Sequence, residues 1–184
     1  MERREYLAGL VGSSAVGGGC LASVPGVDTR SRNVSVTGVQ TEGVEVTAEM
    51  VENTVTTSQT AAVRITWSNP GSRTIDLDVA RESAEPLPSH TFENRADHTG
   101  LVLVPRSYEV GKRSSDCWKP KDRLGASGDA DATPLSPGES FHHEYRLWTK
   151  PDREGCLPPD KYDFGHAGEE SSAWRVTLNV ETPE

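Results

Sequence analysis

The chain has 184 residues, a formal net charge of −9 and 34% hydrophobic residues. An acidic chain repels the phosphates of nucleic acid, which sets nucleic acid aside as a partner. An anionic bilayer repels it for the same reason, so membrane attachment would need a lipid. The acidity fits high-salt and ordinary conditions equally well.

Residues 1–19 read as an export leader. Arg3 and Arg4 precede a weakly apolar run from Ala8 to Ala15, and Gly17, Gly18 and Gly19 lead into Cys20. A charged start, a short apolar stretch and a small-residue cleavage site make a secretion address. The run is too short to span the ~30 Å of a bilayer core. Five glycines between Gly9 and Gly19 disfavour a packed helix, at about 1 kcal/mol each. Removing the leader would leave 165 residues and the same net charge, because Glu2 and Glu5 balance Arg3 and Arg4. That length suffices for one domain with its own core.

Glu2-Arg3-Arg4-Glu5-Tyr6-Leu7 resembles the twin-arginine motif of Tat signal peptides. With Cys20 behind it, the stretch resembles the leaders of Tat-exported lipoproteins of halophilic archaea. The resemblance implies lipid attachment at Cys20, a flexible tether over residues 20–32, and residence on the extracellular face of the cell membrane. Plain secretion is the alternative. Outside the cytoplasm the two other cysteines, Cys117 and Cys156, read as a disulfide. It would close a loop of about 40 residues and stabilise by roughly 3–4 kcal/mol. A thiolate nucleophile or metal ligand is the competing role, but His166 lies ten residues past Cys156.

After the tether, with its breakers Pro25 and Gly26, the pattern changes at Asn33. Val34, Val36 and Val39, then Val44, Val46 and Ala48, alternate with polar residues around a turn at Thr41-Glu42-Gly43. Such alternation predicts half-buried strands. Ala61, Val63, Ile65 and Trp67 share one face of the clearest strand. Asn69-Pro70-Gly71-Ser72 is a turn, since Pro fixes φ and Gly admits φ > 0. Ile75, Leu77 and Val79 alternate next. The segment ITWSNPGSRTIDLDV resembles the second and third strands of Ig-like and fibronectin-type modules.

Residues 81–99 read as a polar loop with Pro86 and Pro88. Leu101 to Val104 is a continuous apolar run, as in a strand buried on both faces. Residues 111–137 read as one long loop, which the disulfide at Cys117 would pin. Pro137-Gly138-Glu139-Ser140 launches a strand over Phe141 to Trp148, and a last strand runs from Trp174 to Val180. The segments LSPGESFHHEYRLWT and CLPPDKYDFG resemble the C-terminal half of BsuPI-type proteinase-inhibitor domains. That resemblance implies an Ig-like strand order and, by analogy, inhibition. No window of the mature chain shows a helical period. The fold expected over 33–184 is all-β, an Ig-like antiparallel β-sandwich of about seven to nine strands.

Catalytic patterns are missing. There is no G-x-S-x-G elbow and no phosphate-binding G-x-x-x-x-G-K-[ST]. His142 and His143 are adjacent and would point to opposite faces of a strand. Met50 is the only mature methionine, far from the other candidates for a copper site. Asp129, Asp131 and Glu139 match no calcium-loop spacing. Trp67 and Trp174 belong to apolar strand faces, so a core role is expected. Trp118 and Trp148 lie near the cysteines and are the candidate contact surface. The sequence therefore points to a non-enzymatic, lipid-anchored binding or accessory module without cofactor or metal. Its ligand would be an unknown protein or envelope component. A secreted proteinase inhibitor is the alternative.

Overall fold

The computed structural model describes residues 31–41, 43–81, 85–90, 98–114, 117–124, 132–166 and 173–183. The leader motif Arg3-Arg4, Cys20, and the acidic pair Asp129 and Asp131 lie outside them. Every regular element among the described residues is a strand. In chain order these are β1 (Arg32–Thr41), β2 (Glu45–Glu52), β3 (Thr54–Val55), β4 (Ala62–Ser68), β5 (Ile75–Leu77), β6 (Leu87–His90) and β7 (His98–Pro105). There follow β8 (Lys112–Ser114), β9 (Cys117–Pro120), β10 (Thr133–Leu135), β11 (Ser140–Thr149), β12 (Asp160–His166) and β13 (Trp174–Glu181).

Nine strands join in one sheet, in the order β2-β4-β11-β7-β6-β12-β13-β1-β3, and the pairs are antiparallel. The sheet cannot be flat. Four strands separate β4 from β13, which at about 4.8 Å per step would put them some 24 Å apart. Instead the rings of Trp67 on β4 and Trp174 on β13 meet edge to face at 5.3 Å. The sheet therefore folds over into two layers with the core between them, and the fold is a β-sandwich. Taking β2, β4, β6, β7, β11, β12 and β13 as strands A to G gives A-B-E-D in one layer and C-F-G in the other. This is the strand order of the immunoglobulin constant domain. Strand β6 pairs with both β7 and β12, so the layers stay joined along one side. At the other side β3 continues from β2 but pairs with β1, and Val34 N–H donates to Asn53 O at 2.8 Å. The chain changes layers there.

The period-two faces pack as expected. Val63, Ile65, Trp67, Tyr145, Leu147, Phe164, Val176 and Leu178 belong to one buried core. The odd spacing of Val34, Val36 and Val39 has a cause. A bulge between Val36 and Gly38 inserts Thr37, so Val36 pairs with Leu178 and Val39 with Val176. The extra residue returns Val39 to the inner face, where the open edge leaves it 37% exposed. The run 101–104 is buried on both faces: Leu101 and Leu103 join the main core, and Val102 and Val104 join a second cluster.

Two stretches read as loops carry strands. Within 81–99, β6 forms despite Pro88, which lies opposite Val102 where the register slips before His90. A bulge is where a strand tolerates a residue without an N–H. Within 111–137, β8 and β9 make one ribbon, and β10 pairs with β5 in another. These ribbons are too short and too irregular to show a period. The turn at Asn69 is more than a turn. Its buried side-chain amide donates to Arg73 O and Leu135 O at 2.7 and 2.8 Å, and its carbonyl accepts from Gly138 N–H. One residue thus ties the β4–β5 turn to the turn that launches β11. Gly138 has φ 75° there, a conformation glycine adopts without strain.

Candidate functional site

The outer face of the A-B-E-D layer is divided in two. One half is a charge ladder across four segments. Arg64 donates to Glu49 at 2.7 Å and to Glu144 at 2.6 Å, and Arg106 donates to the other Glu144 oxygen at 2.7 Å. The hydrogen bonds from Arg106 and Arg64 hold the Glu144 carboxyl below its ordinary range. The other half is apolar: Val102, Val104 and Trp148 are buried, with Val110, Trp118 and Leu124 packed on them. A cap made by residues 106–114 and 117–124 covers this half.

The cap is fastened by Cys117–Cys156, whose Cα atoms lie 5.4 Å apart across a sequence separation of 39. The expected disulfide is therefore present. Trp118 is its second fastening. Its indole meets Trp148 edge to face at 5.2 Å, and its N–H donates to Thr56 O at 2.7 Å. The Lys112 ammonium lies 3.8 Å from the Trp118 ring centroid and donates to Thr57 O at 2.6 Å. Arg113 donates to Pro151 O at 2.9 Å, and Lys119 donates to Arg153 O. These bonds tie the cap to the loop before Cys156 and to the loop after β3. Burial lowers the Lys119 pKa, and the nearby Arg113 lowers it further.

Trp118 and Trp148 are brought together, but not as an open surface. Trp148 is 2% exposed, so only Trp118, half-buried, faces outward. An aromatic on an outward strand face is exposed unless a non-local segment covers it, and here the cap does. Trp67 and Trp174 lie in the main core, as expected.

The remaining candidates are dispersed. His142 is exposed, whereas His143 on the opposite face is half-buried and its Nε2 contacts Ala80 O at 2.8 Å. Burial lowers the His143 pKa. Glu139 accepts from Ser136 N–H and pairs with Arg81 at 2.7 Å. His166 lies 3.0 Å from Asp78. Met50 packs against the core. Among the described residues no three of His, Cys, Asp and Glu are placed to hold a metal ion.

One relation has no sequence signal at all. Arg32, at the start of β1, is buried, and its Nε donates to Leu157 O at 3.2 Å. Leu157 follows Cys156 directly. It has φ 48°, rare for a branched side chain, and its N–H is held by the Thr149 hydroxyl at 2.8 Å. The first residue of the sandwich is thus anchored beside the disulfide. The cap cations do have a sequence signal: residues 106–124 hold six of the 19 Lys and Arg, against three carboxylates, in a chain of net charge −9. Compared with known proteins, the chain matches no family model, no curated protein and no solved structure.

Proposed function

We propose that this protein is an exported, lipid-anchored and non-enzymatic β-sandwich module, acting in binding or as an accessory at the outer face of the cytoplasmic membrane. The observation that carries the reading is the Cys117–Cys156 bridge. Cytoplasmic thiols are kept reduced, so a structural disulfide belongs with an oxidising compartment. The Arg3-Arg4 leader pattern and Cys20 support the same reading from the sequence. An Ig-like sandwich suits it too, although one such fold hosts many functions. The test is mass spectrometry of the mature N-terminus from the membrane fraction. A lipid-modified Cys20 is expected as the first residue. An unmodified peptide running through Cys20 sinks the anchor.

A second reading, a secreted proteinase inhibitor of BsuPI-like type, is favoured by one feature. The exposed segment 152–155 is fixed at its C-terminal side by the bridge at Cys156, as a rigid inhibitory loop would be. A screen against extracellular proteases checks it. No inhibition at micromolar protein ends that reading.

A further inference from the structure

The fold sorts charge in a way that the net value hides. The cap exposes Arg113, Lys121 and Arg123, with Lys112 and Lys119 half-buried behind them. The loop it is tied to adds Lys150 and Arg153. In sequence, carboxylates intervene at Glu109, Asp116, Asp122, Asp152 and Glu154, but the seven cations outnumber these five in a protein that is acidic elsewhere. This basic cap is joined through Cys156 and Leu157 to Arg32, the residue at which the N-terminal segment reaches the sandwich. Cys20 lies twelve residues before Arg32, a span of at most about 40 Å. A lipid at Cys20 would therefore keep this pole of the domain, and the cap with it, within about 40 Å of the bilayer.

We propose that the disulfide-stapled cap is a membrane-docking surface that engages the phosphate headgroups of an anionic bilayer. The proposal rests on the anchored reading above for its setting, and on charge complementarity for its chemistry. A single acyl chain gives marginal, reversible attachment, and stable attachment takes a second signal such as a basic patch. Each cation near an anionic surface strengthens partition by about fivefold. The cap supplies that second signal at the pole where the tether arrives.

The experiment uses the full chain, bridge intact and without lipid, sedimented with vesicles of phosphatidylglycerol and phosphatidylcholine in equal parts. At about 0.1 M salt, where the Debye length is about 10 Å, the protein is expected to sediment with these vesicles and not with phosphatidylcholine alone. Raising the salt to about 1 M releases it. The variant Arg113→Gln/Lys121→Gln/Arg123→Gln lowers partition by more than about tenfold, and Lys121→Gln alone by about fivefold. Arg73→Gln, at the opposite pole, leaves it within about twofold. An unchanged urea midpoint shows that the triple variant is folded. Equal binding by the triple variant and the natural chain overturns the proposal. So does capture by soluble dextran sulfate without sedimentation on vesicles, which assigns the cap to a soluble polyanion. The protein tested carries no lipid, so failure here leaves the anchored reading standing. An unmodified Cys20 in cells would likewise leave a positive vesicle result standing.

Discussion

The molecule buries apolar surface in two places, by different means. Between the layers, twenty-one buried residues from both halves of the chain form one core, and neither bridged cysteine is among them. Outside the A-B-E-D layer, Val102, Val104 and Trp148 are the three buried residues of the second cluster, and the cover over them is stapled by a disulfide. Leu103 and Val102 are neighbours on one strand, yet they belong to these two different clusters. A core closed by many strands is cooperative by area alone. A patch covered by a short irregular ribbon buries too little to offset the ordering of that ribbon, and a crosslink removes much of the entropy it must overcome.

The largest expected effect is on the main core. Trp67 has no exposed surface and packs on Phe141, His143 and Trp174. Trp67→Ala should cost about 3–5 kcal/mol, read as a fall in urea midpoint for the whole domain. The paired substitution Cys117→Ser/Cys156→Ser should cost about 2–4 kcal/mol. Its signature is local: hydrogen exchange should rise in 112–120 before the main sheet opens. Equal protection of cap and core without the bridge would show that the cap holds itself.

Neighbouring residues sharpen the contrast. Leu103→Ala should cost about 2–5 kcal/mol with or without reductant. Val102→Ala should cost about 1–2 kcal/mol with the bridge intact and measurably less without it. A double-mutant cycle between Val102→Ala and the cysteine pair reads that coupling.

Acid should separate the two faces of β11. His143 on the inner face has its pKa lowered from 6.5, chiefly by burial. The unfolded chain takes up that proton first, so stability is lost as pH falls below 6.5. Glu144 on the outer face has its pKa lowered from 4.5 by Arg106 and Arg64. Its contribution is complete above 4.5 and is lost as pH falls through the lower folded value. Urea midpoints against pH should therefore fall in two stages, and His143→Gln should remove the upper one. Glu144→Gln is the smallest change expected, under about 1 kcal/mol and weaker still in high salt, because the ladder is partly exposed.

The sandwich was legible in the sequence because alternation at 61–67 and 174–180 is a local property of a strand with one wet face. The spacing of Val34, Val36 and Val39 was legible too, though only the bulge explains why it is odd. Strand β6 was hidden by Pro86 and Pro88, whose demotion of a strand holds only until a register slip absorbs it. The candidate surface at Trp118 and Trp148 was half legible. The cysteines marked the place, but the burial of Trp148 depends on a cap that arrives from another part of the chain.

By itself, the sequence determined the all-β class and the apolar inner faces, since these follow from short-range periods, and it singled out Cys117 and Cys156 as a pair. The tertiary structure alone decided what the charge is packed against. A net charge of −9 is a sum without positions. Folding gathers the cations of 112–123 at the bridge and fixes Arg32 against Leu157 beside it. Contacts between residues 125 positions apart leave no mark on a linear pattern, because they are set by how the layers close and not by any stretch of chain.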